Sequence, residues 1–509
     1  MSEVWTPRPD QQRVLDWLLP RRRGLLLAPT GSGKTAIAST WLSQKMGDEF
    51  SVTRALVVAP KLVVAGWREQ IARWQHLHWL LPEIREITFE DLDLTMWDEV
   101  VASAPGRVHK PYSVPRDVVF GPGLETRRML DFRDKKATKR RLLGLGGRLH
   151  LCSWDAFPWV EESLGKAWPY DALVPDESSF LRDRSSARGK AARRAVHKSG
   201  KVTHALLLTA TPNANHDEAA FSQVDLVAPG LLGNTLTEFR DTYCQPDSKN
   251  WSSGQVYSWK IAPGMREQFE QRVASVSLSV PESLGIDVLE VEHWVELPDD
   301  ARELYKELSK TSVLQAPVVT CGSEAVLHGK QRQIATGFVY DDTGAGVWLH
   351  KAKLDALRAV IDSLGGKQAL VVYEFDEELA TLRGFLGKDF ADIRDKGARA
   401  RFMKGTLPYL GLHPKSAGHG VDGLQERTNV IIWHTVTEDR EMYDQTNGRL
   451  KRPGQDAPTV MAHALIARGT VEQRIWEEVL PGKARRADRL ILAARGWDSQ
   501  TVVESPDVR

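Results

Sequence analysis

The sequence lacks a long apolar run. No segment of its 509 residues approaches the roughly 18 consecutive apolar residues that span a bilayer. The short run GLLLA, which follows Arg21–Arg23, is too brief for the core of a secretion signal. Cysteine is also scarce, and Cys152, Cys244 and Cys321 lie far apart, which excludes a disulfide framework and paired zinc ligands. We therefore expect a cytoplasmic protein with no membrane segment.

An excess of charge of either sign is also missing. The chain has 68 Lys and Arg against 67 Asp and Glu, for a net charge of +1. This balance excludes the highly positive surface of a protein that condenses nucleic acid. A nucleic-acid site would therefore be a local patch. The 17 tryptophans are numerous, but Val64, Trp67, Ile71 and Trp74 follow the spacing of an amphipathic helix. We expect most tryptophans to lie in the core.

Apolar runs alternate with helical patterns along two parts of the chain. A chain of this length suggests about three domains, or two large ones with insertions. The first series begins at Gly24 and the second near Lys353. The apolar runs of the second series are Gln368–Phe375, Pro408–Pro414, Asn429–Thr435 and Pro458–Ile466. This order predicts two α/β domains, each with a parallel sheet and crossover helices.

The remaining segments set the expected domain boundaries. Residues 1–240 form the first domain, with a proline-rich surface insertion at about 104–145. Residues 241–345 connect the domains, 346–482 form the second, and 483–509 are a C-terminal extension. Within the connection, Cys244–Pro263 is rich in Ser, Pro, Gly and Asn and indicates an exposed segment. The alternation from Leu289 to Leu297 predicts a half-buried strand.

A phosphate-binding loop is the strongest local signal. The sequence APTGSGKT, Ala28–Thr35, follows a predicted strand and opens a predicted helix. Backbone N–H groups of Thr30, Gly31, Ser32 and Gly33 would cradle phosphates, Lys34 would balance their charge and Thr35 would bind Mg²⁺. Ala28 replaces the first glycine of the strict pattern. The loop predicts ATP and Mg²⁺ as cofactors.

An acidic pair supplies the second half of such a site. The apolar run Ala172–Pro175 leads directly into Asp176 and Glu177. Asp176 would hold Mg²⁺ and Glu177 would polarise the attacking water. An Asp-Glu pair alone is common in solvated loops, but its position after a buried strand favours the catalytic interpretation.

These motifs, with others along the chain, resemble superfamily 2 helicase-like ATPases. Within that superfamily the chain is most similar to SNF2-type DNA translocases, especially compact bacteriophage-type members, and the resemblance covers nearly the whole chain. The segments that carry it are Arg8–Gln11, Val57–Trp74, His150–Phe157, Leu206–Gly233, Lys330–Tyr340, His413–Gln425 and Tyr443–Gln455. The resemblance implies an α/β fold of two RecA-like doubly wound parallel-sheet domains in tandem with helical insertions.

The resemblance also implies roles for individual residues. Gln11 would read adenine, Gly420 and Asp422 would approach the nucleotide, and Thr209 and Thr211 would couple nucleotide state to DNA contact. The implied nucleic-acid contacts are Lys61, Ser153, Trp154 and Ser416. Gly423 adds a residue to the usual SNF2 spacing, which makes the position of Asp422 less secure than that of Gly420.

Arg449 and Arg452 lie in the segment Gln-x-x-Gly-Arg-x-x-Arg-x-Gly-Gln, which is the most diagnostic of the set. Their spacing is one helical turn, so we expect both to point into the nucleotide cleft as arginine fingers. Taken alone, such a pair is usually a solvated helix face.

Two basic runs stand apart from the motifs. Eight of the residues in Arg127–Arg141 are Lys or Arg, among them Lys135, Lys136, Arg140 and Arg141. The run Arg182–Lys201 also holds eight. Each run either tracks phosphates or is a solvated helix face.

These observations predict a nucleic-acid-dependent ATPase that moves on DNA. We expect a monomer that tracks duplex DNA with weak sequence preference, since such motors contact the backbone. One alternative is a strand-separating DNA or RNA helicase of another superfamily 2 branch. Another is a catalytically idle nucleic-acid-binding scaffold, against which the intact Lys34, Asp176 and Glu177 argue.

Overall fold

The computed structural model describes residues 3–29, 31–88, 135–210, 217–249, 256–280, 285–417, 423–452 and 454–495. The chain folds into two compact units. The first unit comprises Met1–Pro29, Gly33–Pro281 and Leu490–Arg509, and the second comprises Thr30–Ser32 and Glu282–Arg489. Within the described residues no helix is both long and apolar enough to cross a membrane.

The first unit contains strands β1 to β9 and helices α1 to α9. The strands are β1 (Arg23–Leu27), β2 (Ala55–Ala59), β3 (Ile84–Ile87), β4 (Leu149–Ser153), β5 (Ala172–Pro175), β6 (His204–Thr209), β7 (Cys244–Lys249), β8 (Val256–Ile261) and β9 (Ser277–Ser279). The helices are α1 (Pro9–Leu18), α2 (Lys34–Ser43), α3 (Lys61–Arg73), α4 (Lys135–Gly144), α5 (Phe157–Leu164), α6 (Ala187–Arg193), α7 (Asp217–Val227), α8 (Leu236–Tyr243) and α9 (Arg266–Ser275).

Seven of these strands form one parallel sheet in the order β3-β4-β2-β5-β6-β1-β9. Its central strands are buried on both faces, as is usual for a parallel sheet. Successive side chains of each strand point to opposite faces. Leu26 packs in the core on one face of the sheet, with helices α1 to α3. Leu25 and Leu27 pack in the core on the other face, with helices α5 to α7.

The second unit contains strands β10 to β19, helices α10 to α17 and helix α18 up to Arg489. The strands are β10 (Asp287–Val295), β11 (Val313–Gln315), β12 (Val318–Thr320), β13 (Phe338–Tyr340), β14 (Gly346–Trp348), β15 (Ala369–Val372), β16 (Phe390–Asp392), β17 (Tyr409–Leu412), β18 (Val430–Trp433) and β19 (Thr459–Ala467). The helices are α10 (Asp299–Thr311), α11 (Glu324–Thr336), α12 (Ala352–Ser363), α13 (Asp376–Leu386), α14 (Ala398–Met403), α15 (Pro414–Ala417), α16 (Arg440–Asn447), α17 (Val471–Arg474) and α18 (Leu480–Arg495).

Six of these strands form a second parallel sheet, in the order β10-β19-β18-β15-β17-β16. Leu370 and Val372 pack on one face of it, and Ala369 and Val371 pack on the other. Helices cover both faces in each unit. The predicted α/β fold, with two doubly wound parallel-sheet domains in tandem, is therefore confirmed.

The segment expected to connect the domains contributes strands to both sheets. Strand β9 pairs with β1 in the first sheet, and β10 pairs with β19 in the second. Part of Cys244–Pro263, expected to be an exposed connection, is instead the antiparallel hairpin β7–β8. The expected half-buried strand is β10, but Leu289 is 51% exposed because β10 is an edge strand.

Part of the expected insertion and part of the expected C-terminal extension pack more closely than the sequence indicated. Of the expected insertion, residues 104–134 lie outside the described part of the chain. The remainder includes α4, whose Leu142 is buried in the first unit. Within the expected C-terminal extension, Leu490 and Ala494 of α18 are buried in cores of the first unit.

Candidate active site

Three predicted motifs meet at one edge of the first sheet. Strands β5, β6 and β1 are adjacent and parallel. Asp176 follows β5, Thr209 ends β6, and the glycine-rich loop follows β1. The carboxyl ends of parallel strands lie at the same edge of a sheet, which is where ligands of such folds bind.

The loop after β1 has the backbone of a phosphate-binding turn. Gly31 and Gly33 have φ angles of 80° and 87°, a left-handed region that favours glycine. Helix α2 begins at Lys34, so the unpaired N–H groups of its first turn lie at the loop. Ser32 is buried and Thr35 is half-buried, whereas Thr30 lies outside the described residues.

Gln11 lies against this loop. Its side chain is buried, and its Oε1 accepts a hydrogen bond of 3.0 Å from the backbone N–H of Arg8. A Cβ atom on Gly33 would lie 2.4 Å from Gln11 Nε2. The two residues are therefore packed so closely that position 33 admits only glycine without a shift of Gln11.

Asp176 is held in place by two tryptophans. It is 6% exposed, and Trp67 Nε1 donates a 2.8 Å hydrogen bond to its Oδ2. Trp154 Nε1 donates a 2.8 Å bond to its carbonyl oxygen. Burial raises the pKa of Asp176, while the charge of Lys34 and the Trp67 hydrogen bond act to lower it. The positive charge of Lys34 thus partly offsets the effect of burial on the pKa of this carboxyl group.

Glu177 adopts a left-handed backbone conformation, with φ of 57°. Its Oε1 accepts hydrogen bonds from Ser179 Oγ at 3.2 Å and from Thr209 Oγ1 at 3.5 Å. The hydroxyl of Thr209 therefore links the end of β6 directly to the acidic pair. Thr211, its expected partner in coupling, lies outside the described residues.

These residues fit ATP and Mg²⁺. The helix N-terminus and Lys34 suit phosphates, and Asp176 with Thr35 supplies the one or two oxygen ligands that Mg²⁺ takes beside substrate phosphates. Among the described residues no group of three or more His, Cys, Asp or Glu is placed to hold a metal ion by itself. A metal here would share its coordination with the nucleotide.

Arg449 and Arg452 lie in the second unit, beyond α16. The helix ends at Asn447, so the expectation that one helix carries both arginines is wrong. The chain continues in turns instead, in which Arg449 N donates to Thr446 O at 3.1 Å and Arg452 Nε donates to Gly448 O at 3.2 Å. Arg449 is 4% exposed, and burial lowers the pKa of Arg452 to about 10.

The predicted nucleic-acid contacts divide into two groups. Lys61 is exposed at the start of α3. Ser153 and Trp154 are buried, at 8% and 2% exposure, so their assignment to DNA is corrected: the Trp154 indole has a hydrogen-bond partner in the core and no free face for a base. The side chain of Ser416 lies outside the described residues. So do Gly420 and Asp422, which were expected near the nucleotide.

The two basic runs also differ. Lys135, Lys136, Arg140 and Arg141 belong to α4, where Arg140 and Arg141 are exposed. In the second run, carboxylates of the same unit pair with four arginines. These ion pairs are Arg184–Asp225, Arg188–Asp155, Arg193–Asp225 and Arg194–Glu161. The second run is therefore largely a structural element.

Comparison with known proteins gives a family match at this site. Residues 8–75, which include Gln11 and the glycine-rich loop, match the DEAD/DEAH box helicase family. This finding confirms the resemblance to helicase-like ATPases. The matched segment contains Gln11, Lys34 and Trp67.

Similarity to known proteins also extends beyond residues 8–75. "Putative protein p41" of Acyrthosiphon pisum secondary endosymbiont phage 1 is 25% identical, over 93% of this chain and 96% of the relative. The Sulfolobus solfataricus SWI2/SNF2 ATPase core in complex with dsDNA is a solved structure with 16% identity and a TM-score of 0.37. Its alignment covers 96% of this chain and 94% of that one.

Proposed function

We propose that the protein is an ATP-dependent DNA translocase of SNF2 type. The observation that carries the proposal is the meeting of Lys34, Asp176, Glu177 and Thr209 at one sheet edge, with Asp176 buried beside the positive charge of Lys34. This arrangement has the parts that phosphoryl transfer to water requires. The motifs along the rest of the chain support the proposal that the free energy of ATP hydrolysis drives movement on DNA.

Each residue of the site has a distinct role in the proposal. Lys34 and the first turn of α2 bind phosphates, and Asp176 with Thr35 holds Mg²⁺, which supplies positive charge to the phosphates when bound. Glu177 orients the attacking water and accepts its proton. Arg449 and Arg452 add positive charge as the phosphoryl group transfers. Thr209 passes a change at Glu177 to the segment that follows β6.

The partner in this proposal is duplex DNA. The segments Val57–Trp74 and His413–Gln425 resemble DNA-contacting motifs of SNF2-type motors, and Lys61 is exposed at the start of α3 in the first of them. Such contacts fall on phosphates, so sequence preference should be weak. We propose a monomer that acts in the cytoplasm of a bacterial cell, in keeping with the phage origin of its relative.

Two substitutions test the ATPase. Lys34→Ala should abolish ATP turnover because it removes the charge that binds phosphate, and Glu177→Gln should abolish turnover while it traps bound ATP. DNA binding should survive in both. Turnover is measured with purified protein, and nucleotide retention by filter binding. Normal turnover in either variant would contradict the assigned site.

A second measurement tests the nucleic-acid partner. ATPase activity is compared without nucleic acid, with closed circular duplex DNA, with single-stranded DNA and with RNA. We expect the largest stimulation from the circular duplex, because a duplex-tracking motor needs no strand end. Equal stimulation by RNA would favour another helicase branch, and absence of turnover under all conditions would favour a scaffold.

A further inference from the structure

Helix α7 faces the chain segment that follows the acidic pair. Three polar residues on this helix, Ser222, Gln223 and Asp225, are buried. Ser222 Oγ donates to Arg182 O at 3.0 Å. Asp225 Oδ2 lies 3.1 Å from Arg184 Nη1. The helix is thus fixed to residues after Glu177 by side-chain bonds.

The hydrogen bond closest to the acidic pair joins Ser178 to Gln223. Ser178 Oγ donates to Gln223 Oε1 at 2.6 Å, and both side chains are 0% exposed. Gln223 Nε2 in turn donates to Ala219 O on the same helix, at 3.3 Å. The acceptor is therefore oriented by its own helix, and the hydrogen bond is shielded from bulk solvent.

Glu177 lies between two anchored neighbours. On one side, Asp176 N donates to Val58 O at 2.7 Å, and the two tryptophans hold the rest of Asp176. On the other side, Ser178 is held by Gln223. A non-glycine residue keeps a left-handed backbone only where its surroundings enforce it. These two anchors enforce it at Glu177.

We infer that the hydrogen bond between Ser178 and Gln223 positions Glu177 for ATP hydrolysis, an inference that rests on the proposed function. Ser178 and Gln223 are positioning residues, since they act through the backbone next to Glu177. The bond sets the direction of the Glu177 side chain through the adjacent backbone. It also connects the acidic pair to α7, the helix that follows the segment after Thr209.

The first test is Ser178→Ala. We expect kcat for ATP to fall by between about 10-fold and 10²-fold, the range that a small misplacement of a catalytic group produces. The KM and the binding affinity for ATP should stay close to wild type, because Lys34 and Thr35 are unchanged. Steady-state turnover and nucleotide binding measure these quantities. An unchanged kcat would overturn the inference.

A double variant separates positioning from stability. Ser178→Ala leaves a buried acceptor without its donor, which destabilises a protein, whereas replacement of both partners by apolar groups is nearly neutral. Ser178→Ala/Gln223→Met should therefore regain the melting temperature lost in Ser178→Ala. Its kcat should remain low, since the bond is still absent. Recovery of kcat together with the melting temperature would overturn the inference.

Ser222→Ala is the matched control. It removes a buried serine hydroxyl from the same helix, but the bond it breaks leads to Arg182 and away from Glu177. Its kcat should equal that of wild type. An equal loss in this variant would overturn the inference, because the effect would then belong to the helix in general.

Glu177→Gln separates the inference from the proposed function. If Glu177→Gln turns over ATP normally, the proposed function itself fails. If Glu177→Gln is inactive while Ser178→Ala keeps full kcat, the proposed function stands and the positioning role is rejected.

Discussion

At the scale of single residues, the candidate site depends on aromatic side chains that carry a donor. Trp67 and Trp154 are both buried, and each directs its indole N–H at Asp176. A tryptophan in the core normally needs such a partner. The two side chains therefore stabilise the core and orient a carboxylate at once.

Arg452 gives a prediction about the transition state. Arg452→Ala should bind ATP with near-normal affinity and hydrolyse it about 10³-fold more slowly, because an arginine finger acts on charge that develops during transfer. The measurements are nucleotide binding and single-turnover hydrolysis. Arg427→Ala, an exposed arginine of the same unit, is the control and should be unaffected. A variant at 452 that retains most of its turnover would exclude the finger role.

Arg449 requires a different experiment, because it is almost fully buried. Loss of a buried guanidinium destabilises the fold as well as the transition state. The ATP turnover of an Arg449→Ala variant can be interpreted only together with a thermal unfolding curve of the same variant.

His204 gives a prediction about acid stability. Burial, with a smaller effect of Lys45 and Arg22, lowers its pKa from 6.5 to about 4. Between these two pH values the unfolded chain binds a proton that the folded chain does not, so stability falls as pH falls through this window. The contribution is up to about 3 kcal/mol. His204→Gln should flatten the decline of melting temperature between pH 6.5 and pH 4, and an unchanged slope would contradict this assignment.

At the scale of secondary-structure elements, the turn between β1 and α2 depends on glycine. Gly33→Ala would force a side chain into a left-handed conformation and against Gln11. We expect a loss of stability of about 1–2 kcal/mol and a marked loss of ATP affinity, measured by nucleotide titration.

Gly66→Ala is the control for that substitution. Gly66 lies inside α3, and a Cβ atom there would meet nothing within 4 Å. This variant should gain about 0.5–1 kcal/mol of stability and keep its ATP affinity. A similar loss of affinity in both variants would show that the effect at Gly33 is not local.

The elements differ in how well the sequence predicts them. Strands β1, β2, β15, β18 and β19 were predicted, because buried strands of a parallel sheet form continuous apolar runs. Strands β3, β9 and β16 were not, since their sequences IREI, SLS and FAD mix polar with apolar residues and form no continuous apolar run. The hairpin β7–β8 was missed because its polar, Pro-containing sequence is typical of loops.

The site was predicted in part for a similar reason. Lys34 and Asp176 each come after an apolar run, so sequence order placed them at one sheet edge, whereas Thr209 was named through the family resemblance alone. The role of Trp154 was wrong because burial is a property of the fold. The bond from Ser178 to Gln223 joins residues 45 positions apart, and no local pattern marks either one.

At the scale of the whole molecule, the net charge of +1 requires that DNA affinity come from particular surfaces. Stimulation of the ATPase by duplex DNA should fall steeply with salt, because phosphate contacts release counterions. If α4 contributes to that surface, replacement of Lys135, Lys136, Arg140 and Arg141 by alanine should weaken DNA binding and flatten the salt slope. ATPase activity without DNA should not change.

The second basic run supplies the control for that experiment. Lys190, Lys198 and Lys201 are exposed there, and their replacement by alanine leaves its four paired arginines in place. We expect this triple variant to keep the wild-type salt slope. A slope that changes only in the triple variant would move the DNA surface from α4 to α6 and its C-terminal end.

The position of β1 in the first sheet has a consequence for how the protein is made. Leu25 pairs with Leu207 on one side and with Ser277 on the other. Before the ribosome has synthesised these partner residues, both edges of the apolar strand β1 are exposed in the nascent chain. Unpaired strand edges promote aggregation. A fragment that stops at residue 240 would keep one edge open after release. Recombinant fragments of the first unit should therefore extend past β9 to remain in solution.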